Sequence, residues 1–332
     1  MSVEKILADW KQKKYELVYW LEGEENFFID QLVHFAEHKI LTESEEGFNL
    51  TIFYGKDADW TEVVNACRRY PVFADKQVVI LKEAQQMRDL DKLEAYIENP
   101  VPSTLFVVAH KEKKLDGRSK LSRVLKNRAV LFSTKKLYES QLPDWVSNLV
   151  QNLGYSISQK AVMLLVQHIG NDLSRINSEV QKLLLNISDR KSITEEDIER
   201  YVGISKEYNV FELQEAMLKK DLGKSIRIIQ YFESNPKAGP LPMVLASLYN
   251  FFSKVYQLFG ISSRDENTIA SVIGVRPFFV KDYLNAQKRY GYAGIEEALL
   301  LLHEYNLKGI GINNSGTEDA SLLKELVWKM VQ

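Results

Sequence analysis

The chain has 332 residues, of which 45% are hydrophobic and 27% are charged, and its formal net charge is −2. This length favours two or three domains, and the near-neutral charge excludes nucleic-acid binding over the whole surface, so any such contact must be local. The single cysteine, Cys67, excludes an internal disulfide and is typical of a reducing compartment. No apolar run approaches the roughly 20 residues that span a bilayer, and the N-terminal segment lacks a signal-peptide core. We therefore expect a cytoplasmic protein.

Between residues 15 and 133, short apolar runs alternate with longer segments of helical periodicity. The apolar runs predict strands at 15–21, 49–54, 77–81, 104–109 and 129–133, and the segments between them predict helices at 24–40, 59–69, 87–98 and 116–127. Strands rich in Val, Ile and Leu that are separated by helices indicate a parallel sheet with helices on its faces. We interpret the acidic cluster at 43–47 as a solvated loop. The pattern predicts a doubly wound α/β domain over residues 1–138.

After residue 135 the strand pattern stops and the rest of the chain predicts helices. A break between two helices is expected at Gly170, and Thr194 with Asp197 forms a capping box that opens another helix. Turns rich in glycine, proline and serine join the later helices. The predicted layout adds a small helical domain at 139–205 and a helical domain at 206–332.

An α/β domain followed by a small helical domain suggests a P-loop NTPase of the AAA+ kind. Nucleotide binding in such a protein requires a phosphate-binding loop with a lysine after the first strand. Here Gly23 stands alone and precedes Glu24 and Glu25, whose carboxylates suit a helix N-terminus and repel an anion. Lys82 ends a later strand, where an aspartate would hold Mg²⁺. We interpret this as a fold that has lost ATP chemistry, and an active ATPase with an atypical nucleotide loop is the alternative.

Three other features resemble functional motifs without meeting their requirements. Gly223–Ser225 matches the end of a phosphate loop, but the position five residues before it is not glycine, which favours an interrupted helix. Asp30, His34 and His38 share one helix face and could bind a metal, although a surface cluster is the simpler interpretation. Cys67 has no evident histidine partner and is expected to be a buried thiol. We predict no catalytic residue, no metal and no cofactor, and no motif supports a small-molecule enzyme on this sheet.

The segment 68–81 places Pro71, Val72 and Phe73 in a loop directly before a predicted buried strand. A phenylalanine there can fill its own core or anchor a partner, and the residues alone leave both alternatives open. As anchors, Val72 and Phe73 would contribute roughly 1.5–3 kcal/mol each on burial in a partner's pocket. Pro71 would reduce the cost of ordering the loop. A Phe73 ring enclosed beneath its own sheet would exclude the anchor.

Six segments of the chain resemble, in the same order, the delta subunit of bacterial DNA polymerase III, a clamp-loader component. They are YWLEGEENFFID (19–30), YPVFADKQVVIL (70–81), LDGRSKLSRVL (115–125), GNDLSRINSEVQKLLL (170–185), SITEEDIERYVG (192–203) and YNVFELQEAMLKKD (208–221). The resemblance implies a degenerate AAA+ module, a helical lid and a collar domain for oligomerisation. It also implies that the gamma/tau subunits handle ATP, in agreement with the missing phosphate loop.

The resemblance further implies a role and a set of partners. Members of this family bind the ring-shaped sliding clamp (beta) and help to open it for loading onto primed DNA, as non-catalytic parts of a DNA-directed DNA polymerase. Their apolar clamp-binding pair corresponds to Val72 and Phe73, preceded by Pro71, and Val72 is smaller than the residue that many relatives carry. The implied partners are the clamp, the gamma/tau and delta-prime subunits, and primer–template DNA, with no membrane.

Residues 111–128 form a basic run with eight Lys and Arg side chains against two acidic ones. A solvated face or a subunit contact is one interpretation, and sequence-independent contact with primer–template phosphates is the other. The candidate contact residues are Lys111, Lys113, Lys114, Arg118, Lys120 and Arg123.

Overall fold

The computed structural model describes residues 2–187, 190–263, 265–314 and 316–331. The chain divides into two compact units, Met1–Leu137 and Tyr138–Gln332. The predicted three-domain division at 1–138, 139–205 and 206–332 stays a prediction. Within the described residues, no helix has both the length and the apolar character needed to cross a membrane.

A five-stranded parallel sheet forms the centre of the first unit. Its strands are β1 (Val18–Gly23), β2 (Leu50–Tyr54), β3 (Gln77–Lys82), β4 (Thr104–Lys111) and β5 (Val130–Thr134). The strand order is β2-β3-β4-β1-β5, with every neighbouring pair parallel. All five predicted strands are present within a few residues of their expected bounds. The predicted fold class is confirmed as far as the doubly wound parallel sheet with helices on both faces.

Helices cover both faces of this sheet, because alternate strand residues point to opposite sides. The helices of the unit are α1 (Val3–Lys11), α2 (Asn26–Lys39), α3 (Glu43–Asn49), α4 (Trp60–Cys67), α5 (Glu94–Glu98) and α6 (Lys120–Arg128), with 3₁₀ turns at Ala84–Gln86 and Leu90–Leu93. Trp20 of β1 belongs to a core with residues of α4, α5 and α6, whereas Leu21 belongs to a core with residues of α1 and α2. The sheet is therefore buried on both sides, as its continuous apolar strands require.

The interpretation of the acidic cluster 43–47 as a loop is wrong, because these residues form most of α3. Thr42 and Glu45 form a capping box, in which the Thr42 backbone N–H donates to Glu45 Oε2 at 2.9 Å. Acidic side chains in a first turn also stabilise the positive end of a helix dipole. The acidic side chains that led us to expect a solvated loop therefore stabilise the start of a helix.

The second unit is mostly helical. Its elements are α7 (Leu142–Asn152), β6 (Ser156–Ile157), α8 (Gln159–Ile169), α9 (Leu173–Asn186), β7 (Ser192–Ile193), α10 (Glu195–Asp197) with a π-helical turn at Ile198–Val202, α11 (Val210–Leu218), α12 (Leu222–Ser234), α13 (Leu241–Gln257), α14 (Glu266–Ile273), α15 (Val280–Gly309) and α16 (Asp319–Val331), with 3₁₀ turns at Glu139–Gln141, Leu258–Gly260 and Pro277–Phe279. The predicted break at Gly170 and the capping box of Thr194 and Asp197 are confirmed.

Two details of this unit differ from the all-helical expectation. The strands β6 and β7 pair in parallel through two residues each, so a small sheet is present where none was predicted. The long helix α15 is interrupted at Gly291, whose φ of 65° and ψ of 176° are not helical. Strands of two residues carry no periodicity, and for this reason the sequence pattern could not reveal them.

Candidate functional site

The loop Tyr70–Lys76, here called the tip, connects α4 to β3 and carries exposed apolar side chains. Phe73 is 98% exposed, Tyr70 is 83% exposed and Val72 is 44% exposed. The alternative in which Phe73 fills the core of its own domain is therefore excluded. Large apolar side chains in this state cost free energy in water, and a partner that buries them recovers it.

The backbone of the tip is strained at its most exposed residue. Phe73 has a φ of 52°, in the left-handed region that residues with a Cβ rarely adopt. Such a conformation costs of order 1–2 kcal/mol and persists only where the surrounding structure imposes it. The tip therefore has a defined backbone conformation that neighbouring residues impose.

A buried asparagine at the end of α3 holds the residue before Phe73. Asn49 Oδ1 accepts a hydrogen bond from the Val72 backbone N–H at 2.7 Å, and Asn49 Nδ2 donates to the Val72 carbonyl oxygen at 2.9 Å. Asn49 Nδ2 also donates to the Glu45 carbonyl at 3.1 Å. The amide thus pairs with both backbone groups of Val72, much as a neighbouring strand would.

The two ends of the tip are tied together at its base. Gln77, the buried first residue of β3, donates from Nε2 to the Arg69 carbonyl at 2.6 Å and to Thr104 Oγ1 at 2.7 Å. Thr104 Oγ1 in turn donates to the Cys67 carbonyl at 2.8 Å. These bonds join the end of α4, the start of β3 and the start of β4. The base is rigid, and only the side chains beyond it are free to meet a partner.

At the other end of the sheet, where the strands have their carboxyl ends, the turn after β1 lies where a phosphate-binding loop would be. The Glu25 carboxylate caps α2 by accepting a hydrogen bond from the Phe27 N–H at 3.2 Å, so the protein's own anion holds the position an external phosphate would take. The Glu25 N–H donates to Thr134 Oγ1 at 3.1 Å. Gly23 has a φ of 129°, and a Cβ placed there would overlap the backbone of Thr134. The turn is packed shut against β5.

The ends of the neighbouring strands carry ion pairs in place of magnesium ligands. Lys82, at the end of β3, pairs with Glu37 at 2.7 Å. Lys111, at the end of β4, pairs with Asp30 at 2.7 Å and with Glu83 at 3.1 Å. Burial opposes its charged form, but these two carboxylates raise the pKa of Lys111. The cations and anions at this edge therefore neutralise one another.

A buried polar cluster lies beside the closed turn. Glu22 accepts hydrogen bonds from Trp20 Nε1 at 3.2 Å, from the Leu115 N–H at 3.1 Å and from Ser133 Oγ at 3.0 Å. His110 stacks on Trp20, and its Nδ1 lies 2.9 Å from the Lys113 carbonyl. Burial lowers the pKa of His110, although the carboxylate of Glu22 opposes this shift. The protein thus satisfies these polar groups internally.

Comparison with known proteins gives the family. The model for "DNA polymerase III, delta subunit" matches residues 19–135, and the model for the C-terminal domain of that subunit matches residues 207–326. DNA polymerase III subunit delta of Bacillus subtilis (strain 168) is 29% identical over 96% of this chain and 94% of its own length. This chain belongs to the DNA polymerase III delta subunit family.

Two further members or structures are similar over most of the chain. A probable DNA polymerase III subunit delta of Aquifex aeolicus (strain VF5) is 24% identical over 82% of this chain and 81% of its own. The solved structure of a Bacillus subtilis DNA clamp loader delta protein has a TM-score of 0.55, with 24% identity and 99% of each chain covered. At this identity the structural likeness supports the fold, and the family assignment depends on the sequence matches.

The basic run of this delta-family chain does not form one free patch. Lys111 is held by the two carboxylates at the strand ends, and Lys120 pairs with Glu94. Lys120 is nevertheless exposed, as are the other four candidates Lys113, Lys114, Arg118 and Arg123, although Arg118 Nε lies 4.0 Å from Asp116 Oδ1. Contact of the run with DNA or another subunit stays a prediction, with these four as the available cations.

The remaining motif candidates take structural roles. Asp30 is engaged with Lys111, and the rings of His34 and His38 stack with centroids 4.5 Å apart. The described residues contain no group of three or more possible metal ligands. Gly223 lies inside α12, whose N-terminus is capped by Asp221, so Gly223–Ser225 belongs to a helix, but that helix is not interrupted at the glycine. Cys67 is buried, and burial raises the pKa of its thiol.

Three residues near the tip were not predicted from the sequence. Tyr70 extends the exposed apolar surface by one aromatic ring, and Phe48, which is 74% exposed, adds another directly before Asn49. Asn49 itself lies 23 residues before Val72 and gave no motif. The capping box at Thr42 and Glu45 was the one local pattern that could have identified α3 and led to these residues.

Proposed function

We propose that this protein acts as the clamp-binding subunit of a DNA polymerase III clamp loader, and that it helps to open the sliding clamp without hydrolysing ATP. The observation that carries the proposal is the Phe73 ring, bare to solvent on a backbone that is fixed by hydrogen bonds. Family membership supplies the partner. The exposed aromatic group supplies the means of contact.

The energetics of the tip suit a binding hot spot. Burying the Phe73 ring in an apolar pocket contributes roughly 1.5–3 kcal/mol, and Val72, which is only 44% exposed, contributes less. Because the backbone of the tip is already ordered, little conformational entropy is lost on binding. Tyr70 enlarges the apolar surface, and the exposed Arg68 and Arg69 add charges at its rim that affect the association rate more than the affinity.

The deciding experiment measures clamp binding by the double variant Val72→Ala with Phe73→Ala. We expect the affinity for the sliding clamp to fall roughly 100-fold or more, with unchanged thermal unfolding, because neither side chain supports the core. Phe278→Ala is the matched control, since Phe278 is also exposed but lies in the second unit. A double variant that binds the clamp as tightly as the wild type would disprove the proposed contact.

Clamp opening requires a second condition beyond binding. A protein that binds a closed and a distorted ring equally well shifts no equilibrium between them. We therefore expect tighter binding to a single clamp subunit, whose interface is already open, than to the intact ring. Equal affinities in calorimetric titrations would leave the binding role intact and remove the opening role.

The absence of ATP hydrolysis is also part of the proposal. Its support is the closed turn after β1, where Glu25 caps the helix that would receive a phosphate. We expect no heat of binding when the isolated chain is titrated with ATP and Mg²⁺. Micromolar binding would favour the alternative, an active ATPase with an atypical nucleotide loop. On this proposal the chain is a non-catalytic part of the polymerase holoenzyme.

We further propose the assembly that the family relationship suggests. Residues 139–205 would serve as a lid and residues 206–332 as a collar that joins the gamma/tau and delta-prime subunits. Primer–template DNA would meet the four exposed cations of the basic run in the assembled loader. Replacing Arg118 and Arg123 by Ala should weaken DNA binding by the complete loader and reduce its salt dependence, and an unchanged salt dependence would assign the run to another contact.

A further inference from the structure

The inference concerns Asn49, which no motif singled out. It is the last residue of α3 and is 1% exposed. Its amide has one acceptor atom and two donor hydrogens suited to this geometry, and all are engaged with the backbone of Val72 and Glu45. A buried amide with every group satisfied fixes the chain that it contacts.

The consequence falls on the exposed part of the tip. Val72 directly precedes Phe73, and its N–H and carbonyl oxygen are both held by one side chain. Phe73 itself is almost fully exposed, so few contacts of its own ring can hold its left-handed backbone. The direction in which the Phe73 ring points is therefore set by Asn49, through its hydrogen bonds to the backbone of Val72.

We propose that Asn49 is the positioning residue of the clamp-binding tip and holds the free protein in the shape that the clamp binds. The inference rests on the proposed clamp-binding function and adds to it that α3, outside the tip itself, sets the affinity. A partner binds only the competent fraction of a flexible loop, so its apparent affinity falls in proportion to that fraction. Asn49 keeps the fraction near one.

The chemistry of the contact explains why an amide is needed at this position. An aspartate has nearly the same shape, but its carboxylate cannot donate to the carbonyl oxygens of Val72 and Glu45. An alanine offers no hydrogen bond at all. Asn49→Ala should therefore release the tip fully, and Asn49→Asp should release it in part while the volume of the side chain stays nearly the same.

The chain provides a matched control at the end of another helix. Asn186 is the last residue of α9 and donates from Nδ2 to the carbonyl of Lys182, four residues earlier, as Asn49 does to Glu45. Asn186 is exposed and lies in the second unit. Asn186→Ala therefore removes the same helix-end hydrogen bond without touching the tip.

The experiment measures association and dissociation rates with the sliding clamp for the full chain and its variants, per folded molecule. We expect Asn49→Ala to lower the association rate about tenfold, because both hydrogen bonds to Val72 are lost. Asn49→Asp should lower it less, because its carboxylate still accepts from the Val72 N–H. The dissociation rate should stay within about twofold, since the bound Phe73 makes the same contacts. Asn186→Ala should change neither rate.

A measurement without the clamp keeps the inference testable if stability changes. Hydrogen exchange of the Val72 amide should accelerate at least tenfold in Asn49→Ala, which removes its acceptor, while amides of β3 keep their protection. A purely structural role would accelerate exchange in both places and leave the association rate per folded molecule unchanged, and this outcome overturns the inference.

The outcomes also separate this inference from the proposed function. If the tip double variant loses clamp binding and the Asn49 variants bind at the wild-type rate, only the role of Asn49 is wrong. If the double variant binds as the wild type does, the proposed clamp contact is wrong and the positioning role falls with it.

Discussion

Two loops at opposite ends of the strands in the first unit differ in what each could bind. The turn after β1 lies at the carboxyl ends of the strands, where its glycine packs against Thr134 and its glutamate caps the next helix. The tip lies at the amino end of β3, and its side chains point into solvent. In the first loop, Glu25 is hydrogen-bonded through both its N–H and its carboxylate. In the second, Asn49 holds the backbone of Val72, and the side chain of Phe73 is exposed.

The difference teaches where to look for function on this scaffold. A site for a small anion needs vacant N–H groups and room for the ligand. In the turn after β1, the N–H groups of Glu25 and Phe27 are engaged and Gly23 packs against Thr134. A site for a protein needs fixed backbone and exposed apolar surface, which the tip provides. The carboxyl ends of the strands thus carry the protein's own helix cap and ion pairs, and the tip presents exposed apolar surface at the other end of the sheet.

The largest expected effect would break the closed loop. Gly23→Ala should lower the free energy of unfolding by about 3 kcal/mol or more, because the new Cβ overlaps Thr134 and the backbone has a positive φ. Urea unfolding measures the change. Gly117→Ala is the control, since no atom lies within 4 Å of a Cβ placed there. A Gly23 variant as stable as this control would mean that the turn is open.

A smaller effect would test the anion that closes the same loop. Glu25→Ala should lower the free energy of unfolding by about 1 kcal/mol through loss of the α2 cap, without creating affinity for ATP. Asp59→Ala, which removes the cap of α4, should cost a similar amount. Unfolding curves and calorimetry with ATP check both parts. Detectable ATP binding by the Glu25 variant would show that only this carboxylate excludes the nucleotide.

On the tip, the backbone and the side chain of one residue can be separated. The free energy of unfolding of Phe73→Gly should be about 0.5 kcal/mol higher than that of Phe73→Ala, because glycine adopts a left-handed backbone more readily than alanine. Both variants should lose clamp binding to the same extent. Chemical denaturation and clamp titration of the pair provide the test, and an alanine variant as stable as the glycine variant would mean that the positive φ carries no strain.

The smallest expected effect is a pH dependence near the closed loop. Burial lowers the pKa of His110 in the folded state, whereas the unfolded chain has the ordinary histidine pKa of about 6.5. As the pH falls towards this value, the unfolded state therefore binds a proton more readily than the folded state does. Stability should therefore fall as the pH is lowered from 7.5 through this range.

The matching variant is His110→Asn, which should reduce the slope of unfolding free energy against pH. The slope should not vanish, since burial also lowers the pKa of His168. An unchanged slope in His110→Asn would mean that the ring titrates without a folding penalty.

The sheet was predictable because its signals are local. Each strand is a continuous apolar run, and the parallel arrangement follows from the helices between the runs. The missing phosphate loop was equally readable, since Gly23 and Glu25 stand where a glycine-rich loop with lysine is needed. The helix α3 was missed because acidic residues were weighed for their charge and not for the capping box at its start.

The geometry of the site was predictable only in part. The apolar pair in the tip is visible in the sequence, but its exposure is a property of the folded chain. The contact of Asn49 with Val72 joins residues 23 positions apart, and no periodicity encodes it. The positive φ of Phe73 is also invisible, because phenylalanine seldom adopts it. Lys111 and Lys120 looked available until the fold supplied their carboxylate partners.

The left-handed backbone at the end of the tip limits which residues could replace Phe73. β-Branched side chains are the least tolerant of positive φ, so isoleucine and valine are poorly suited to this position despite their apolar surface. Leucine and methionine branch or bend farther from the backbone and remain acceptable in shape. Two constraints thus limit the residue types that could replace Phe73: the size and polarity of a partner's pocket, and the positive φ of the backbone.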